Sequence, residues 1–251
     1  MQLELSGKTV LVTGSSRGIG RAIAKILHAE GCRVVLNART ADDLALTAAD
    51  LPGSVAVVGD VTRPKDARRI VTEAMAALGK LDILVCNVGS GRSVPPGNET
   101  YDEWQRVFAL NLWSTTNTVE AACEALAASG GVIVCVSSIC GIEVVSGAPI
   151  TYSAAKAALH AYVRGIARPL GKKGIRINAV APGNILFDGS VWSRKLSEDA
   201  GAVQAMLERD VALARLGTTQ DVAELVAYLA SPRAAFSTGG VWTLDGGQVH
   251  S

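Results

Sequence analysis

Tyr152 and Lys156 stand four residues apart in Thr151-Tyr152-Ser153-Ala154-Ala155-Lys156-Ala157-Ala158-Leu159. The stretch is rich in alanine and other good helix formers, so it predicts a helix, and positions four apart share one helical face. A phenol then lies beside an ammonium. Tyrosine titrates at about 10 when unperturbed, and a neighbouring positive charge favours phenolate and lowers that value. A proton donor or acceptor brought toward working pH is what transfer to or from a substrate oxygen requires. The same spacing on an ordinary surface helix would carry no chemistry, so its weight depends on what accompanies it.

A second motif lies near the N-terminus. Lys8-Thr9-Val10-Leu11-Val12 reads as a short, buried, β-branched strand. It runs into Thr13-Gly14-Ser15-Ser16-Arg17-Gly18-Ile19-Gly20, and then into Arg21 to Leu27, whose apolar spacing is helical. Strand, glycine turn and helix in that order form a phosphate cradle. Glycines allow a tight turn and close backbone approach, and the helix N-terminus offers N–H groups and a positive dipole end to a pyrophosphate. The spacing is Gly-x-x-x-Gly-x-Gly rather than Gly-x-Gly-x-x-Gly.

That glycine variant together with Tyr-x-x-x-Lys resembles the short-chain dehydrogenase/reductase family, and further motifs follow in family order over essentially the whole chain. Gly59-Asp60-Val61-Thr62 follows the third expected strand, where the resemblance gives Asp60 and Val61 an adenine-binding role. Cys86-Asn87-Val88-Gly89 matches Asn-Asn-Ala-Gly at two of four positions, which adds Asn87 and Gly89. Asn111 falls at the family's catalytic asparagine and Ser138 at its catalytic serine. The gap from Ser138 to Tyr152 is one residue longer than the commonest family spacing, which leaves Ser137 as the alternative. Pro182, Gly183 and Ile185 fall at the nicotinamide-binding turn. With Gly14, Ser16, Arg17, Gly18, Ile19, Gly20, Tyr152 and Lys156, these make up the expected cofactor site. In the mechanism the resemblance implies, Tyr152 exchanges a proton with the substrate oxygen and Ser138 hydrogen-bonds the same oxygen. Lys156 lowers the Tyr152 pKa and holds the nicotinamide ribose, and Asn111 positions a water linking Lys156 to solvent.

The expected cofactor is NADP(H). NAD-binding sites of this type usually carry a carboxylate at the end of the second strand, for the ribose 2′-hydroxyl. Here that end reads Val34-Val35-Leu36-Asn37-Ala38-Arg39. Arg17 and Arg39 instead offer forked, permanently charged donors to a 2′-phosphate, and Asn37 is the remaining polar group at the strand end.

The substrate is less legible. Its candidate contacts are Ser138, Glu143, Val144, Phe187 and Trp192. Phe187 stands where the family often has a threonine contacting the nicotinamide amide, a contact then lost or supplied by Ser190 or backbone. Residues 184–206, rich in large apolar side chains, read equally as a mobile lid or as a fixed helix with Trp192 packed down. Among relatives, the pattern is nearest to the β-ketoacyl carrier-protein reductases. Lys173 falls near one of their basic carrier contacts, but Ala127-Ala128-Ser129-Gly130-Gly131 lacks the other. The expectation is a carbonyl or 3-oxoacyl-type reductase, with sugar/polyol or hydroxysteroid dehydrogenases as alternatives. A non-catalytic NADP-binding regulator or scaffold is the alternative of another class. The resemblance also implies a homodimer or homotetramer.

The elements that must position these residues alternate along the chain. Strands are expected at 8–12, 33–36, 55–58, 81–86, 132–136, 175–180 and 241–244. Helices fall between them, at 41–49, from Pro64, from the Thr100-x-x-Glu103 capping box, around Tyr152 and at 222–230; Pro169 should kink or end the Tyr152 helix. Such alternation predicts an α/β fold: a single doubly wound Rossmann-type domain spanning 1–251, with a mostly parallel seven-stranded sheet and helices on both faces. The cofactor half is expected at about 1–150 and the catalytic half at about 151–251. At 49% hydrophobic and 19% charged the chain has enough apolar material for such a core. A formal net charge of +1 offers no electrostatic case for nucleic acid or an anionic membrane. No apolar run is long enough to cross a bilayer, no metal cluster is expected, and no basic-then-apolar leader opens the chain. Five cysteines without a Cys-x-x-Cys pair fit free thiols in the cytoplasm.

Overall fold

The computed structural model describes residues 2–250. Among the described residues nine strands form: β1 (Thr9–Thr13), β2 (Arg33–Ala38), β3 (Val55–Val58), β4 (Ile83–Cys86), β5 (Val132–Val136), β6 (Arg176–Pro182), β7 (Ile185–Leu186), β8 (Gly217–Thr218) and β9 (Val241–Leu244). Seven of them make one sheet in the order β3-β2-β1-β4-β5-β6-β9, and every pairing is parallel. The helices are α1 (Gly18–Ala29), α2 (Ala41–Ala49), α3 (Pro64–Leu78), α4 (Tyr101–Phe108), α5 (Ser114–Ser129), α6 (Ile150–Gly171), α7 (Val191–Glu198), α8 (Ala200–Asp210) and α9 (Thr219–Ala230). The expected doubly wound architecture is present, with the sheet wholly rather than mostly parallel.

Side-chain alternation along the central strands builds two cores. Val10 and Val12 of β1, Ile83 and Val85 of β4, and Val132 and Val134 of β5 pack with Ile23 and Leu27 of α1 and Val222 and Val226 of α9. The intervening Leu11, Leu84, Ile133 and Cys135 face Ile70 of α3, Leu126 of α5 and Leu159 and Val163 of α6. Parallel strands covered on both faces are mostly apolar, which is why β4 and β5 read as unbroken apolar runs and β1 is apolar between its terminal threonines.

Local departures have identifiable causes. Pro169 falls in the last turn of α6, and the helix ends two residues later, at Gly171. Thr100 caps α4 by accepting from the Glu103 N–H at 3.2 Å, but the Glu103 carboxylate goes to Ser93 and Arg106, so the reciprocal half of the box is missing. Between α4 and α5, Ala109–Trp113 is wound as a π-helical turn around Asn111. The β7–β8 pair pins both ends of the segment carrying α7 and α8. That segment has its own small core of Val203, Leu207 and Val211, against which Trp192, Leu196 and Met206 pack.

Candidate active site

A cleft of ≈ 1660 Å³ opens at the C-terminal ends of the strands. It includes the ends of β1 and β4, where the strand order reverses, the place at which open α/β sheets bind ligands. Its volume exceeds the few hundred to about 1,000 Å³ of a drug-sized pocket and suits a dinucleotide with a second ligand. Every expected cofactor and substrate residue lines it. Asn111 does not, being fully buried behind the wall.

The glycine turn is built for close approach. Gly14 and Gly18 hold φ of +64° and +55°, which side-chain-bearing residues rarely adopt. A Cβ on Gly20 would run into the Gly14 carbonyl and the Asn87 amide. Asn87 clasps the turn by donating from Nδ2 to the carbonyls of Thr13 (3.1 Å) and Gly14 (2.9 Å). Asn37 lines the cleft, yet its two Nδ2 donors are spent on the carbonyls of Val57 (3.0 Å) and Gly59 (3.2 Å). It therefore sets the β2–β3 edge rather than offering a free donor. Asp60 accepts at Oδ1 from both the backbone and hydroxyl of Thr62. Arg17 and Arg39 are exposed, and neither has an acidic partner among the described residues. Phe187 lies on the glycine turn itself: its ring would be 2.7 Å from a Cβ on Gly18. Ser190, one of the expected alternatives to the missing threonine, spends its hydroxyl oxygen on the N–H groups of Phe187 and Ser193 as the α7 cap.

At the other end of the cleft α6 presents Tyr152 and Lys156. Lys156 is buried and donates to the Val136 carbonyl at 3.0 Å, while its amine lies 5.9 Å from the centre of the Tyr152 ring. Gly89 separates Lys156 from Asn111: a Cβ there would meet Asn111 Oδ1 at 2.9 Å and Lys156 Nζ at 3.1 Å. Both Asn111 Nδ2 donors are engaged, by the carbonyls of Ser90 and Val107, and Oδ1 accepts from Ser90 N–H. Its side chain thus fixes the wall beside Lys156. The Ser138 hydroxyl lies near enough to the Tyr152 phenol to favour its ionised form, whereas the Ser137 hydroxyl is taken by His160 at 2.7 Å. Of the two serines, Ser138 is the one beside the Tyr152 phenol.

The expected lowering of the Tyr152 pKa is not what the structure produces. Burial pushes the phenol up to about 12, a hydrogen bond with Ser138 opposes this, and Cys140 adds to the rise. Burial likewise pushes Lys156 down to about 8, against the pull of Cys135 and Cys140. Desolvation disfavours both charged forms, and it outweighs a pair whose charge centres do not touch. Tyr152 therefore holds its proton at neutral pH.

On the substrate side Glu143 accepts from the His250 backbone at 3.0 Å, and Val144 stands 83% exposed at the rim, free for contact with a ligand. Trp192 both lines the cleft and packs into the α7–α8 core, with Lys195 over its ring. Sequence reasoning missed the C-terminal tail. Asp245 caps the backbone of Gly247, Gln248 and Val249, and residues 247–250 close one wall of the cleft. It also missed His160, whose one signal is its spacing four residues beyond Lys156.

Comparison with known proteins agrees with this geometry. The family described as enoyl-(acyl carrier protein) reductase matches residues 14–249. The chain is 35% identical over 248 residues to the 3-oxoacyl-[acyl-carrier-protein] reductase of Escherichia coli, covering 98% of each. It is 40% identical over 242 residues to a candidate ketoacyl reductase of the granaticin polyketide synthase of Streptomyces violaceoruber, covering 94% of each. Among solved structures, L-sorbose reductase from Gluconobacter frateurii with NADPH and L-sorbose superposes with a TM-score of 0.93 at 30% identity over 100% of both chains. A 7α-hydroxysteroid dehydrogenase with NADH and 7-oxo glycochenodeoxycholic acid gives 0.91 at 29% identity, over 100% of this chain and 97% of that one. The chain belongs to the short-chain dehydrogenase/reductase family of oxidoreductases.

Proposed function

We propose that this protein is an NADP(H)-dependent carbonyl reductase, interconverting a ketone or aldehyde with the corresponding alcohol. One observation carries the reading: the cleft joins a Ser138–Tyr152–Lys156 cluster at one end to two unpaired arginines beside a carboxylate-free β2 terminus at the other. The cradle fits a dinucleotide, since Gly14, Gly18 and Gly20 leave no room for side chains. Arg17 and Arg39 would hold the 2′-phosphate, Asp60 and Val61 the adenine, and Gly89, Lys156, Gly183 and Ile185 the nicotinamide riboside. When bound, the nicotinamide supplies or accepts the hydride.

The protein's own residues manage the oxygen. Tyr152, protonated at neutral pH, donates to the substrate oxygen during reduction and recovers that proton in the reverse direction. Ser138 hydrogen-bonds the same oxygen and fixes its distance, where orientation governs rate. Lys156, pushed down to about 8 by burial, restores the Tyr152 proton, with Asn111 holding the wall beside it. Glu143, Val144, Phe187 and Trp192 bound the substrate space. Residues 1–150 supply the cofactor half, 151–251 the catalytic half, and 184–206 the lid.

The substrate class is a 3-oxoacyl or related carbonyl compound, supported by the two ketoacyl reductase relatives. A sugar or polyol is the second reading, supported by the L-sorbose reductase superposition. Five free thiols support a reducing compartment, and exposed Tyr101 and Trp113 on the α4–α5 face support self-association into a dimer or tetramer.

Oxidation of NADPH and NADH by the purified protein is to be followed over acetoacetyl thioesters, sugars, diketones and steroids. Tyr152→Phe is the control. We expect NADPH-linked turnover that this substitution abolishes. Binding of NADPH without turnover on any carbonyl would instead favour a non-catalytic regulator.

A further inference from the structure

His160 is 2% exposed, lies one turn beyond Lys156 on α6, and does not line the cleft. Its Nδ1 is 3.1 Å from the Gly141 carbonyl and its Nε2 is 2.7 Å from Ser137 Oγ. A carbonyl only accepts, so Nδ1 carries the proton and, in the neutral ring, Nε2 accepts from the Ser137 hydroxyl. The two partners bracket Ser138 on either side. Between them the chain makes one tight turn, in which Gly141 N–H donates to the Ser138 carbonyl at 3.1 Å and Cys140 N–H donates to Ser138 Oγ at 3.2 Å. The turn is pressed on α6: a Cβ on Gly141 would lie 2.6 Å from the Lys156 carbonyl carbon and 2.8 Å from His160 Cε1. Ser137 is also the last rung of the sheet here, donating from its backbone to Val180 at 2.7 Å.

An apolar side chain could fill this space, so burial alone does not call for an imidazole. What imidazole adds is a fully satisfied two-point connection of defined direction, and such buried networks specify geometry. We infer that His160 is a positioning residue that clamps the Ser137–Gly141 turn at both ends and so holds the Ser138 hydroxyl at Tyr152. The inference rests on the roles proposed above for Ser138 and Tyr152.

The test uses His160→Leu, which keeps apolar bulk and removes both bonds, with Ser137→Ala as a second variant that leaves no large cavity. His160→Gln and His160→Asn each restore one reach, toward Ser137 and Gly141 respectively. In His160→Leu we expect kcat to fall about ten- to a hundredfold, with NADPH affinity by fluorescence titration unchanged. The pH profile of kcat should shift as well, because the Ser138 hydroxyl beside Tyr152 is displaced. Ser137→Ala should move both readouts in the same direction, and one conservative variant should recover part of the rate. Unchanged kcat and an unchanged pH profile in both His160→Leu and Ser137→Ala would overturn the inference. So would a rate loss that tracks loss of NADPH binding and of Tm. Full activity in Tyr152→Phe would instead strike at the proposed reaction itself, a result separable from either.

Discussion

At the scale of single residues, burial rather than ion pairing sets the protonation of this site. Tyr152 and Lys156 are both pushed toward their neutral forms, which suits a phenol that donates a proton to an oxygen. His160 follows the same logic. Burial takes it from 6.5 down to about 4, the bond to Gly141 opposes this, and Arg164 and Lys156 add to the fall. Below 6.5 the unfolded chain binds a proton that the folded ring refuses, so stability falls as pH drops from 6.5 toward 4 and then levels. The loss is at most about 3 kcal/mol. Urea unfolding at pH 7 and pH 4.5 should show a smaller difference for His160→Leu than for the parent. An equal difference would place the slope on other groups. The arginines make a separate prediction. Replacing Arg17 and Arg39 together by alanine should lower kcat/KM for NADPH by about ten- to a hundredfold, as expected for two charge-assisted phosphate contacts. Turnover with NADH should change little, and equal losses with both cofactors would remove the 2′-phosphate role.

At the scale of elements, close approach decides what may stand where. Gly89 lets the loop after β4 pass between Asn111 and Lys156, although its backbone φ is ordinary. Gly89→Ala would displace the Lys156 amine rather than unfold the protein, because the nearer contacts are side-chain ends. We expect kcat to fall about tenfold or more with a small change in Tm, a split checked by kinetics beside thermal melts. A loss of Tm without a loss of kcat would deny that Gly89 serves the site. The α7–α8 pair is tethered through β7 and β8 but packs into its own small core, without a fully buried residue on α7. Such a unit opens at lower free energy than the sheet. In hydrogen exchange, amides of 191–211 should exchange well before those of β1, β4 and β5, and NADPH with substrate should slow them. Protection of that segment equal to that of the sheet would make it a fixed wall.

At the scale of the whole molecule, cofactor binding and folding are linked, because the cleft draws on β1, β2, β4, β5, β6 and the tail together. NADPH at a hundred times its Kd should stabilise the protein by about 2.7 kcal/mol, or roughly 5–10 °C in Tm. At equal concentration NADH should shift Tm less, and the reverse order would favour NAD as the physiological cofactor. Much of this architecture was legible beforehand. Unbroken apolar runs such as Val132–Val136 identify strands covered on both faces, and the glycine turn after β1 announces a phosphate cradle. Ser138, Tyr152 and Lys156 stand out through their order along the chain. These features are local, carried by residue type and short spacing, so the sequence by itself determined them. The tertiary structure alone decided the rest. It showed that Ser137 turns to His160 while Ser138 faces Tyr152, that Asn37 spends its donors on β3, and that Phe187 rests on Gly18. It also brought the tail from Asp245 to His250 against Glu143, more than a hundred residues away. Each of these depends on which buried donors and acceptors meet across distant segments, and on how far burial outweighs charge. Neither is encoded in spacing along the chain.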